Sequence, residues 1–108
     1  MKLLGTFEIH ELIEIKVGRV LSGKYISGKS LSNKEDILKK NIFIRFRYHE
    51  IEITTKIIEL GGRFGRPGQD IIMEENDNIA LITVLEDATT FLNSIHLESP
   101  IIGQIIEK

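Results

Sequence analysis

Ile42-Phe43-Ile44-Arg45-Phe46-Arg47-Tyr48 alternates without a break. On an extended chain Ile42, Ile44, Phe46 and Tyr48 fall on one side, and Phe43, Arg45 and Arg47 on the other, which is the period-2 mark of a strand with one buried face. His49-Glu50 then reads as a turn or kink. A second run follows from Ile51 to Leu60, with Ile51, Ile53 and Ile57 expected inward and Glu52, Thr54 and Lys56 outward. Ile58 and Leu60 break that parity, so a bulge is expected near Lys56.

The same pattern extends in both directions. Isoleucine dominates the apolar residues, and β-branched side chains suit a pleated surface better than a helix. Ile13, Ile15 and Val17 alternate with Glu14 and Lys16, and after Gly18 and Gly23 come Val20, Tyr25 and Ile26, so residues 13–26 read as a bent hairpin. The N-terminal residues read as the first strand. Further strands are expected at 70–73, 78–85 and 100–107, separated by polar turns at Glu74-Glu75-Asn76-Asp77 and around Asp87-Ala88-Thr89-Thr90. Only residues 34–40 look helical, with Ser32 or Asn33 as N-cap. Gly61-Gly62-Arg63-Phe64-Gly65-Arg66-Pro67-Gly68 neither continues a strand nor starts a helix, and is expected as an exposed loop. Six or seven short strands with turn signals between them point to one closed barrel or a small sandwich.

Composition sets limits on function. The 108 residues are 42% hydrophobic and 28% charged, which fits one globular domain spanning 1–108. No cysteine is present, excluding disulfides, thiolate metal sites and cysteine nucleophiles, and agreeing with a cytoplasmic setting. Fourteen Lys+Arg against 16 Asp+Glu give a net charge of −2, so the whole chain is no nucleic-acid neutraliser, although a local basic patch is compatible with that balance. Charged residues interrupt every apolar window, so no membrane association is expected. Glu8, His10, Glu11 and Glu14 arrive too early for a signal peptide.

Several motifs compete for chemistry. Asn33-Lys34-Glu35-Asp36 spells the guanine-reading Asn-Lys-x-Asp, but no Gly-x-x-x-x-Gly-Lys-Ser/Thr phosphate cradle accompanies it. It is therefore read as a solvated polar helix start, and no nucleotide is expected. Arg63, Phe64 and Arg66 in the glycine loop form a candidate binding cluster, in which arginines hold an anion and the aromatic stacks or inserts. Arg45 and Arg47, beside Phe43 and opposite Lys56, form a second cluster on a strand face, where cross-strand pairing with Glu50, Glu52 or Glu59 competes with binding. His10, His49 and His96 lack ligand spacing, no Gly-x-Ser-x-Gly elbow is present, and no carboxylate pair sits in an evident pocket. Catalytic residues, metal and cofactors are each expected to be none.

Residues 18–31, Gly-Arg-Val-Leu-Ser-Gly-Lys-Tyr-Ile-Ser-Gly-Lys-Ser-Leu, resemble the first hairpin of the β-barrel second domain of translational GTPases, the elongation factor Tu type. Glu75-Asn76-Asp77-Asn78-Ile79-Ala80-Leu81 is similar to that family's Gly-Asp-Asn-Val/Ile-Ala/Gly-Leu segment, with Asn76 where the family usually has Gly. Ile101-Ile102-Gly103-Gln104-Ile105-Ile106 stands where the family ends on an aliphatic strand. The resemblance implies a mostly β, six-stranded closed Greek-key barrel with at most one short helix. Two functional expectations follow. One is a stand-alone, non-enzymatic binding module contacting RNA, a ribosomal component or a GTPase through its loops. The other is a module for one protein partner, such as an immunity protein against a toxin, with the acidic turns and Phe64 or Phe91 as anchors. The polar stretch 30–41 departs from the family's short connection, and Ser99-Pro100 replaces its Arg-Gly.

Overall fold

The computed structural model describes residues 1–15, 18–61, 70–84 and 95–108. Its strands are β1 (Lys2–Ile15), β2 (Gly18–Gly28), β3 (Leu31–Ser32), β4 (Ile42–Tyr48), β5 (Ile51–Gly61), β6 (Ile72–Met73), β7 (Asn78–Val84) and β8 (Ile95–Glu107). Six of them close an antiparallel barrel in the order β1-β2-β7-β5-β4-β8, and β3 pairs with β6 in a separate two-stranded sheet. Strands β4, β5 and β7 lie side by side in chain order and β8 returns to lie beside β4, which is a Greek key. The mostly β, closed-barrel expectation is met.

Alternation explains the walls. Ile42, Ile44 and Phe46 of β4 and Ile53, Ile57 and Leu60 of β5 point into the barrel, where they meet Phe7, Ile9, Leu12, Leu21, Leu81 and Ile105. The long strands need bulges to keep their apolar residues inward. In β1 the buried set is Leu4, Phe7, Ile9 and Leu12, and register slips at Thr6/Phe7 and Ile9/Glu11 absorb the uneven spacing. Ile13, expected on the buried face, is consequently only half-buried. The β5 bulge lies between Ile57 and Glu59, just beyond the expected Lys56. Ile51, expected inward, is 55% exposed because the β4–β5 hairpin projects past the core at that point.

One end of the barrel is capped. Residues 33–38 form a six-residue π-helical segment, in place of the expected helix over 34–40, with Ser32 as N-cap accepting from the Glu35 N–H. Ile37 of this segment, Leu31 of β3 and Met73 of β6 join the core. Asn33 is buried, correcting the solvated reading of its motif, and its Oδ1 accepts the Leu60 N–H at 2.9 Å. The Asp36 carboxylate accepts from the Ser32 N–H at 2.7 Å and pairs with Lys40 at 2.8 Å. Desolvation alone would raise its pKa, but the Lys40 and Ser32 hydrogen bonds outweigh burial and hold it below the ordinary value.

Beside the cap, Tyr25 is fully buried, and its hydroxyl donates to the Lys29 carbonyl at 2.7 Å. Its ring occupies the space a side chain at Gly5 would need, and Gly28, at φ +143°, leaves room for the hydroxyl. Burial first, and the Glu75 carboxylate second, push the Tyr25 pKa up to about 12.

Candidate functional site

Arg45 and Arg47 both lie on the outer face of β4, as the alternation requires, one residue either side of the inward Phe46. They border a groove of about 420 Å³ lined by Arg45, Phe46, Arg47, Glu52, Ile101, Ile102 and Gln104. Strands β4 and β8 form its two banks, and β5 supplies Glu52 behind β4.

The two guanidiniums differ. Arg45 donates to Gln104 Oε1 at 2.6 Å, contacts Met1 Sδ at 3.6 Å and has its Nε 3.9 Å from Glu52 Oε1. It is positioned. Arg47 is exposed, opposite Glu52 in the β4–β5 register, and makes no ion pair or side-chain hydrogen bond among the described residues. A long exposed pair such as Arg45–Glu52 contributes little and is readily exchanged for a better partner. Ile102, 54% exposed, adds an apolar element on the opposite bank. The expected participation of Phe43 takes a different form, because Lys108 lies over its ring at 4.7 Å.

Arg63, Phe64 and Arg66 of the glycine loop, and Glu86, Asp87 and Phe91, lie outside the described residues. The chain enters residues 62–69 from Gly61 and leaves them at Asp70, whose carboxylate accepts from Ser32 Oγ and the Lys34 N–H at the capped end. Glu52, behind Arg47, stands nine positions before Gly61 along β5, or roughly 30 Å of extended strand.

The histidines are dispersed. His10 pairs with Glu8 at 2.6 Å, His49 sits at the β4–β5 turn, and His96 lies opposite Glu11 in the β1–β8 register. No group of three or more His, Asp or Glu side chains among the described residues is placed to hold a metal ion. No helix among them is long and apolar enough to cross a membrane.

Ile101, Ile102 and Gln104 were not singled out by sequence reasoning as binding residues. Their signal was Pro100, which cannot donate to a ladder and marks where β8 leaves regular pairing. No protein-family model, curated protein or solved structure matches this chain.

Proposed function

We propose that this chain is a non-enzymatic, stand-alone binding module that meets a protein partner across the groove between β4 and β8. The observation that carries the reading is Arg47, an exposed guanidinium without an internal partner among the described residues, set beside the positioned Arg45 and across from the exposed Ile102. An arginine flanked by an apolar side chain is the composition of interface anchors. The strand ladders supply a rigid frame, so little ordering cost falls on the backbone when a partner docks.

The barrel itself is read as one of the translational-GTPase second-domain type. Support comes from the six-strand Greek-key order and from the glycine positions of the first hairpin. Asn76, standing where that family usually has Gly, takes φ +72°, the left-handed region that Gly and Asn adopt most readily. A ribosomal component or a GTPase is the partner class this resemblance implies, and an immunity protein would be the same kind of module with a different target.

The test is capture from extracts of the native host with the wild-type chain and with Arg45→Ala/Arg47→Ala. One stoichiometric protein, lost with the double variant, is the expected result. Recovery of RNA without protein, or of a protein indifferent to the two arginines, would overturn the reading.

A further inference from the structure

The ladder between β4 and β8 ends early. It pairs Ile42, Phe43, Ile44 and Arg45 with Glu107, Ile106, Ile105 and Gln104, yet β4 runs on to Tyr48 and β8 extends back to Ile95. Continued register would set Phe46 against Gly103 and Arg47 against Ile102. No ladder pairing continues there, and the groove lies along this stretch of the two strands.

The pairing of β8 with β1 on its other side also breaks nearby. Gly103, Ile102 and Ile101 stay paired with Phe7, Glu8 and Ile9 of β1, and the pairing then jumps from Ile9↔Ile101 to Glu11↔His96. Four residues of β8, 97–100, stand against the single residue His10, and Pro100 among them has no N–H to give. The irregularity leaves β8 without a regular ladder on either side over residues 97–100.

A strand carries hydrogen-bonding groups on both edges. Phe46 and Arg47 face Ile53 and Glu52 across the β4–β5 ladder, and since successive residues turn their N–H and C=O to opposite edges, one of the two points these groups at β5 and the other at the groove. Their groove-side edge has no ladder partner among the described residues. Such an edge is a template for one more strand.

We propose that the groove takes an extended acidic segment of the partner protein, laid alongside β4 as an added strand with a carboxylate on the Arg47 guanidinium. The proposal rests on the protein-binding reading above and specifies the chemistry of its partner. Two guanidiniums face one carboxylate in the groove, an excess of positive charge on a chain whose net charge is −2. Glu52 is itself 59% exposed and 3.9 Å from Arg45, so an incoming carboxylate displaces only a weak contact. Outward side chains of the added strand then meet Arg47 and Ile102, and inward ones meet Ile101.

Other occupants fit the groove less well. A nucleic-acid base needs an open aromatic face, whereas Phe46 is 3% exposed and points into the core and Phe43 is covered by Lys108. A second copy joined β4 to β4 would bring arginines against arginines across the two-fold axis.

The test is an amide NMR titration of the whole chain with an acetylated, amidated peptide alternating Glu and Val. Its controls are the Lys–Val counterpart and a Glu–Val peptide N-methylated at every second residue. Expected are shifts confined to residues 45–47 and 101–104, binding weakened roughly tenfold or more by Arg47→Glu, and no binding of either control. Equal binding of the Lys–Val or N-methylated peptide, absence of Glu–Val binding, or binding indifferent to Arg47→Glu would overturn the proposal. So would preferential capture of oligouridylate, or sedimentation of the free chain as a dimer that Arg47→Glu dissociates. A photo-cross-linker at Ile102 separates the two levels. If it captures one host protein while the Glu–Val peptide fails, strand addition falls and protein binding stands; if it captures no protein, both fall.

Discussion

The capped end of the barrel and the end carrying the β4–β5 turn are built from the same kind of strand, yet they handle their polar groups in opposite ways. At the cap, Asn33 accepts the Leu60 N–H, Asp70 serves Ser32 and Lys34, Asp36 serves Ser32 and Lys40, and Tyr25 bonds to the Lys29 carbonyl across two glycines. Polar groups there are tied down over sequence separations as large as the 47 residues between the Gly28 N–H and the Glu75 carboxylate. At the other end, the β4–β8 ladder stops at Arg45, Arg47 stands without an internal partner among the described residues, and His49 and Glu50 both hold positive φ, at 50° and 67°. Satisfied polar networks specify one arrangement, while hydrogen-bonding capacity left unused is what a second molecule can take up. The contrast sets the network that holds the fold together at the cap and the proposed binding groove at the opposite end.

The largest blow to this division is Gly28→Ala. At φ +143° the new Cβ would collide with the Tyr25 hydroxyl, Gly5 Cα and Leu4 carbonyl, two of which are backbone positions that do not swing aside. A loss of about 3 kcal/mol or more is expected, read as a fall in the denaturation midpoint. If the barrel keeps its stability, the cap is not the rigid end.

Alkaline titration comes next. The folded Tyr25 pKa, about 12, lies above the ordinary 10.0, so the fold prefers the neutral phenol. That contribution is complete below pH 10 and is lost as pH rises towards 12, on the order of 2–3 kcal/mol in all. Tyr25→Phe removes this slope while weakening the protein at neutral pH, since the Lys29 carbonyl loses its donor. A Tyr25→Phe chain whose stability still falls as steeply over that range would place the titration elsewhere.

Asn33→Ala follows at about 2 kcal/mol, because it leaves the buried Leu60 N–H without its acceptor. The comparison sharpens when the same exchange is made at Arg47. That side chain holds nothing in place among the described residues, and its loss should move the midpoint by no more than about 0.5 kcal/mol.

Much of the wall was legible beforehand, and the reason is alternation. Ile42 to Tyr48 alternates strictly and becomes β4 with its inner and outer residues as read. Legibility stops where a bulge resets parity. Nothing local in Ile9-His10-Glu11-Leu12 announces that His10 will face four residues of β8, so the inward set of β1 shifted from Ile13 to Leu12. The cap was hidden for a related reason. Asn33 looked like a surface helix start because its partner, Leu60, is 27 residues away. Of the candidate site, the two arginines of β4 were visible as an outer-face pair. The opposite bank was not, because it depends on where the ladder between two strands stops, and a sequence read segment by segment holds no measure of that.

An effect of opposite sign tests whether the strain at the β4–β5 turn has a use. Two central residues with positive φ make a type I′ hairpin, for which Asn-Gly is the favoured pair, whereas this chain places His49 and Glu50 there. Left-handed backbone costs such residues on the order of 1 kcal/mol each, and Asn and Gly carry less of that cost. The double substitution His49→Asn/Glu50→Gly should therefore stabilise the protein by about 1 kcal/mol, a rise of a few degrees in Tm for a domain of this size. A stabilising exchange available by two substitutions suggests that the native side chains serve something other than the fold. The Tyr48 and His49 rings meet edge to face at 4.2 Å, which fixes the imidazole at the tip of the hairpin whose outer face carries Arg47. Two readouts then separate the cases. If the variant gains stability and loses partner capture, the turn belongs to the binding end and its strain is retained for contact. If it gains stability and captures as before, the turn is only a costly connection and the binding end contracts to the groove.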